Sequence, residues 1–187
     1  MKIRDLRRDA EAAVDRAADL LVEGFAYLSP QAWPDRETAR KEVLESLEPD
    51  RVSRVAVDGF GTVLGWVAGI RQYDGHVWEL HPLVVDEAYR RRGIGRALVA
   101  DLEVQVRRRG AITLWLGTDD ESDRTTLSGV DLFPDVLEHL AGIRNLRGHP
   151  YEFYQRVGFS LIGVMPDANG FGKPDILMAK RVGDIPK

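Results

Sequence analysis

The sequence predicts an α/β protein, a mixed β-sheet carrying helices on both faces. Three observations predict it. Helix-period and strand-period apolar spacing alternate along the chain. The segment Ile112–Leu116 is apolar on both faces, as expected for a central strand covered on both sides. A strand ending at Val85 runs into a loop holding Gly93 and Gly95, and that loop opens a helix. No repeat, low-complexity tract or linker divides the 187 residues, so one domain over 1–187 is expected.

Taken in order, Lys2–Leu6 reads as a short first strand. Ala10–Phe25 carries Val14, Ala17, Ala18, Leu21 and Phe25 on one helical stripe. Tyr27–Pro34 is a loop. Asp35 caps a second helix that buries Ala39, Val43, Leu44 and Leu47 and stops near Pro49. Val52–Asp58 and Val63–Arg71 form a hairpin across Gly59-Phe60-Gly61, and Tyr73-Asp74-Gly75 turns the chain into a strand at His76–Val85. Gly95–Arg109 is a helix closed by Gly110. After Ile112–Leu116 come helices at Asp135–Leu146 and Pro150–Val157, then strands at Phe159–Met165 and Asp175–Lys180. The order is β-α-α-β-β-β-α-β-α-α-β-β.

Composition removes several function classes. The chain has no cysteine, so disulfides, thiol catalysis and thiolate metal sites are excluded. Its four histidines lack helical ligand spacing, and no metal site is expected. A net charge of −4 is a poor footprint for nucleic-acid binding, and it tolerates a cationic ligand without pointing to one. No apolar run approaches the roughly 20 residues that span a bilayer. No apolar signal-peptide core follows Met1-Lys2-Ile3-Arg4-Asp5, so a cytoplasmic protein free of membrane contact is expected.

The loop Asp86–Gly95 is the most informative stretch. Arg90, Arg91, Arg92 and Arg96 crowd the positive end of a helix dipole, where cations are disfavoured by roughly 0.3–1 kcal/mol each. A bound polyanion resolves that conflict; a basic surface turn is the plainer reading. Arg107, Arg108 and Arg109 sit at the opposite end, where cations are favourable and need no ligand. The Lys-Ser or Lys-Thr of a Walker loop is missing, and so is the third glycine of a dinucleotide loop. Arg90, Gly93 and Gly95 instead fit the pattern Arg/Gln-x-x-Gly-x-Gly/Ala, which resembles the signature of the GNAT acetyltransferases.

The resemblance extends over the C-terminal two thirds of the chain. Trp78–Val85, Leu116–Asp120, His149–Tyr154 and Lys173–Ile176 are similar to one GNAT subgroup, the aminoglycoside 6′-N-acetyltransferases. It implies the GNAT fold, with a splay between strands near Pro82, and acetyl-CoA as acetyl donor. The pyrophosphate would lie on Arg90, Arg91, Arg92, Gly93, Ile94, Gly95 and Arg96, and the pantetheine arm along Leu83, Val84 and Val85. A homodimer and a polycationic amine substrate, acetylated by direct attack on the thioester, are implied too.

Amine acetylation needs a neutral amine, a polarised thioester carbonyl and a proton for the departing thiolate. Strand alternation puts Glu79 and His81 on one face and Trp78 and Leu80 on the other. Pro82 cannot donate to a sheet ladder, which frees neighbouring N–H groups. Leu83 is the expected donor to the thioester oxygen. Glu79 is expected to hold the substrate ammonium and take its proton; a solvent-facing strand carboxylate is the alternative. His81 either orients the interruption or moves protons. Tyr154 matches the family tyrosine near the cofactor sulfur, with a packed core tyrosine as the alternative for it or for Tyr151. Where many GNAT proteins have asparagine seven residues earlier, this chain has Arg147, and Asn145 lies close by.

For the substrate, Asp119, Asp120, Glu121 and Asp123 follow the central strand, where open α/β sheets bind ligands, and Asp175 follows a glycine-rich loop. Asp119, Asp123 and Asp175 are the expected ammonium partners, with a solvated acidic loop as the alternative. Trp33 and Tyr73 are expected as apolar walls against sugar rings, or as core. The segment before Asp35 is least similar to the subgroup. A GNAT enzyme for another amine, such as a polyamine or protein amine, and a non-catalytic acyl-CoA-binding module are the competing functions.

Overall fold

The structure is a computed structural model describing residues 1–184. It contains the twelve expected elements in the expected order. They are β1 (Lys2–Asp5), α1 (Glu11–Phe25), α2 (Arg36–Glu45), β2 (Arg51–Val57), β3 (Val63–Gln72), β4 (Val77–Val85), α3 (Ile94–Arg107), β5 (Thr113–Asp119), α4 (Val136–Ala141), α5 (Tyr151–Arg156), β6 (Ser160–Met165) and β7 (Asp175–Arg181). The chain packs as two compact units. One holds Met1–Ala26, Pro30–Leu114 and 181–184; the other holds Tyr27–Ser29 and Trp115–Lys180.

In the first unit the strand order is β1-β2-β3-β4, antiparallel throughout. Helices cover both faces of this sheet. On one face Val55, Trp66, Ala68 and Val84 pack with Val14, Ala17, Leu21, Ala39 and Val43 of α1 and α2. On the other, close approach of α3 is permitted by glycine: a Cβ on Gly65 would lie 3.1 Å from Leu98 and one on Gly69 3.0 Å from Leu102. α2 starts as expected, with Asp35 Oδ1 accepting from the Thr38 N–H at 2.8 Å. It stops at Glu45, where the Ser46 hydroxyl turns back onto the Val43 carbonyl at 2.6 Å.

β4 is interrupted where Pro82 stands. Val67 of β3 opposes Leu83 and Gly69 opposes Leu80, so β4 carries one extra residue between them. The bulge switches the face of every later side chain. Before it, Trp78 and Leu80 lie on the α3 side, leaving Glu79 and His81 on the α1 side. After it, Val84 faces α1.

The second unit orders its strands β5-β7-β6, with β6 and β7 antiparallel. Two expectations are corrected here. The helix expected over Asp135–Leu146 spans only Val136–Ala141. Gly142 ends it, and the following residues pair instead with the 124–126 segment, the Thr126 N–H donating to Arg144 O at 3.1 Å. β5 begins one residue later and runs three further than expected, and its second face is half-buried at Thr113 and Trp115. Leu114 and Leu116 are buried, whereas Gly117 and Asp119 are exposed.

Candidate active site

The first unit carries a carboxylate and a set of outward N–H groups on the same strand. Glu79 is half-buried, and its Oε2 accepts from Gln72 Nε2 at 2.7 Å, fixing the carboxylate plane. The Asp86 N–H donates to Leu64 O at 2.9 Å, so these opposed residues form a hydrogen-bonded pair. Such pairs alternate along an antiparallel ladder. Counting back from 64/86 makes 66/84 bonded and 65/85 and 67/83 non-bonded. The N–H groups of Leu83 and Val85 therefore point away from β3. The Val85 carbonyl shares that direction and accepts from Arg90 Nε at 3.2 Å.

The loop after β4 is built to leave a helix start uncovered. Asp86 accepts from the Ala88 N–H at 2.9 Å and from Arg16 at 2.7 Å, which anchors the descending chain. Arg91 and Gly93 then adopt left-handed φ of 62° and 84°. Gly93 is the N-cap of α3, and no side chain caps it. A Cβ there would meet nothing within 4 Å, so the space over the helix start is open. Arg90, Arg91, Arg92 and Arg96 are exposed, with Arg92 lying 5.1 Å over the Tyr89 ring. Ile94 is buried, so only its backbone faces that space.

The expected sugar walls divide. Tyr73 is 76% exposed at a turn with left-handed φ, and stands open. Trp33 is corrected to core: it is only 9% exposed and packs edge-on against Phe25 at 4.7 Å. It also touches the His81 ring at 5.8 Å, so it backs the β4 face that carries Glu79 rather than walling a site itself.

In the second unit Tyr154 is 9% exposed, wedged between Phe153 at 5.2 Å and Phe159 at 5.8 Å. Burial pushes its phenol well above the ordinary tyrosine range, which keeps the O–H protonated. The acids sort into two kinds. Asp120 is 0% exposed and accepts from the N–H groups of Arg124 and Thr125 at 2.8 and 2.7 Å, a structural clasp. Asp119 is exposed and takes Asn169 Nδ2 at 2.5 Å; Asp123 is exposed and takes the Ser128 hydroxyl at 2.8 Å. Asp175 is half-buried at the start of β7. Asn145 spends its side chain on both backbone groups of His149, at 3.0 and 2.8 Å, and so closes a loop.

A family model described as acetyltransferase (GNAT) family matches residues 14–126. The chain belongs to the GNAT acetyltransferase family. Two solved structures cover all of it with all of their own chains. One is an aminoglycoside 6′-N-acetyltransferase complexed with coenzyme A, 41% identical with a TM-score of 0.91. The other is an aminoglycoside 6′-N-acetyltransferase from Enterococcus faecium, 42% identical with a TM-score of 0.90. An aminoglycoside 6′-acetyltransferase type Ii is 37% identical at a TM-score of 0.74, over 100% of this chain and 99% of its own. No curated protein matches by sequence.

The residues of this acetyltransferase fit the acyl-CoA that its family uses as donor. An uncapped helix start, the open space at Gly93 and exposed arginines suit a pyrophosphate. The N–H groups of Leu83 and Val85 suit an extended amide arm.

Sequence reasoning missed four residues of this acetyltransferase. Gln72 is silent in sequence because its partner Glu79 is reached only through strand pairing. Arg54 is 8% exposed on β2 and forks onto Asp101 of α3 at 2.6 and 3.1 Å while also reaching Asp5 of β1. Gly117 of β5 leaves room for the Asp175 carboxylate, which a Cβ there would meet at 2.8 Å. His149 opens the His149–Tyr154 segment of the resemblance, but its own role is unmarked in sequence: it is a buried strut. Its Nδ1 accepts from the Tyr151 N–H at 3.2 Å, and its Nε2 lies 3.0 Å from Asp119 O. Those partners select the neutral tautomer protonated at Nε2.

Burial is the main cause holding the His149 pKa below the ordinary imidazole value. Below about pH 6.5 the unfolded imidazole takes up a proton that the folded one refuses. Stability is therefore complete above that value and falls as pH drops through the window beneath it. Urea midpoints at pH 7.5 and 5.5 should fall less in His149→Gln than in the parent. An equal fall in both proteins would assign the acid sensitivity elsewhere.

Proposed function

We propose that this enzyme transfers the acetyl group of acetyl-CoA to the 6′ amine of an aminoglycoside, with inactivation of the antibiotic as its role. The observation that carries the chemistry is β4, where one bulged strand holds an oriented carboxylate at Glu79 and outward N–H groups at Leu83 and Val85. Full-length similarity to aminoglycoside 6′-N-acetyltransferases supports the substrate class.

Acetyl-CoA, when bound, supplies the acetyl group as a thioester with a thiol leaving group. Arg90, Arg91, Arg92 and Arg96, with the backbone of Gly93, Ile94 and Gly95, hold its pyrophosphate. Val84 and Val85 border its pantetheine arm. The Leu83 N–H binds the thioester oxygen and stabilises charge that develops there. Glu79 attracts the substrate ammonium and accepts its proton, directly or through one water. Tyr154 offers a protonated phenol to the departing sulfur. Because burial disfavours the phenolate, this group acts as a hydrogen-bond donor more readily than as a free acid. Asp119, Asp123 and Asp175 hold further ammonium groups of the polycation, and Tyr73 supplies an apolar surface for a sugar ring. The reading also expects a cytoplasmic homodimer that uses one catalytic domain per chain and binds neither nucleic acid nor membrane. None of the helices among the described residues is long and apolar enough to cross a membrane.

Tyr154→Phe should lower kcat by about tenfold, a typical worth for one hydrogen bond made chiefly in the transition state. Acetyl-CoA affinity by calorimetry should stay near the parent value; an unchanged kcat would remove Tyr154 from the mechanism. The substrate assignment is tested by NMR of the product of kanamycin acetylation. An acetamide at the 6′ nitrogen supports it, and acetylation at another amine would replace it.

A further inference from the structure

Gly117 has no conformational reason to be glycine. It lies within β5 with ordinary strand backbone, where glycine weakens the strand and any L-residue fits. It is exposed, so no core packing demands a small residue. The sheet glycines Gly65 and Gly69 differ, since a Cβ on either would press on the apolar side chains of α3. At Gly117 the space is taken by a charged group. A Cβ there would fall within 2.8 Å of Asp175 Oδ1 and 2.9 Å of its Cγ. Asp175 has a short side chain that starts from the neighbouring strand β7, so it cannot bend away while keeping its place.

The missing side chain thus creates a seat in which the Asp175 carboxylate lies against β5. Alternation places Trp115, Gly117 and Asp119 on one face of the strand, with Leu114 and Leu116 buried on the other. The seated carboxylate therefore shares a face with that of Asp119, two residues or roughly 7 Å further along the strand. Asp119 is itself held by Asn169, from the loop that leads into β7. The Asp120 N–H ties the same loop down by donating to Pro174 O at 2.9 Å. Both carboxylates are positioned by one clasped loop and one glycine.

We propose that Gly117 is a specificity-determining residue for the polycationic substrate, because its lack of a side chain sets where the Asp175 carboxylate meets an ammonium group. This rests on the reading that Asp175 binds substrate. A side chain at 117 pushes the carboxylate off β5 and away from the ammonium, and it does nothing to acyl-CoA.

The test is a double-mutant cycle of Gly117→Ala and Asp175→Ala, read by KM for kanamycin, KM for acetyl-CoA and Tm. Gly117→Ala should raise the kanamycin KM about tenfold, the loss expected for one displaced charge-assisted contact. Its acetyl-CoA KM should be unchanged and its Tm no lower than that of the parent. Asp175→Ala should raise the kanamycin KM at least as much, and adding Gly117→Ala to it should change nothing further, since the seat is then vacant. If Gly117→Ala alone fails to fold, a double variant that folds normally supports the seat, and one that also misfolds overturns it. A rise for Asp175→Ala with none for Gly117→Ala would overturn this inference while leaving the substrate reading of Asp175 intact. A silent Asp175→Ala would overturn that reading and the inference with it. Additive rises in the double variant would show that Gly117 acts through something other than Asp175.

Discussion

Glu79→Gln should lower kcat for an aminoglycoside by about 10²–10⁴-fold, the usual worth of a positioned general base. The amide keeps the shape of the carboxylate and loses its ability to take a proton. It also meets the Gln72 amide, which donates to Oε2 at 2.7 Å in the parent, so one oxygen of the new side chain remains fixed. Geometry is thereby conserved while chemistry is removed. Binding of acetyl-CoA should survive, because the arginine loop and the Leu83 and Val85 N–H groups are untouched. Steady-state rates with calorimetry on the same preparation check both halves. A kcat within threefold of the parent would move proton acceptance from Glu79 to solvent.

Asp101→Ala should cost about 3 kcal/mol of folding stability, the scale for removing one partner of a buried ion pair. Arg54 emerges from β2 with its side chain 10% exposed, and Asp101 holds it by two hydrogen bonds. Its remaining partner, Asp5, is largely solvent-exposed and compensates little. A nearly buried guanidinium would thus keep its charge and lose its main counter-ion. For a chain of this size the loss corresponds to roughly 6–12 °C in Tm. Asp5→Ala, which removes the exposed partner, should cost less than about 1 kcal/mol. Urea unfolding of the two variants separates them, and equal losses would contradict this ranking.

Local pattern exposed most of the fold before any coordinates. Residue pattern and turn signals located all twelve elements; Val14, Ala17, Ala18 and Leu21 are buried as the stripe in α1 demands, whereas β1, α4 and β6 hold no buried residue. The helix expected over Asp135–Leu146 ends early because Gly142 stops it and residues 144–146 pair with the 124–126 segment, a long-range event without a local signal. Pro82 marked the β4 interruption, since a residue without an N–H announces itself locally.

The candidate site was legible only where a residue type carries its own physics. The arginines at the wrong end of a helix dipole pointed to an anion. Among Asp119, Asp120, Glu121 and Asp123, nothing in the sequence distinguishes the wholly buried Asp120, which braces the backbone, from its exposed neighbours. Trp33 suggested a sugar wall because it stands in a loop, but that loop folds it onto Phe25. Gln72, Arg54 and Gly117 owe their roles to partners on other strands and helices, and such partners leave no local trace.

Thiol release from acetyl-CoA tests the central claim most directly. Purified protein would be given kanamycin or tobramycin in one series and spermidine or a lysine peptide in another, with free thiol followed by its absorbance with a disulfide reagent. Rapid release with the aminoglycosides, and little with the other amines, is the predicted result. Release with spermidine or the peptide alone would contradict the substrate assignment while leaving the acetyltransferase family membership in place.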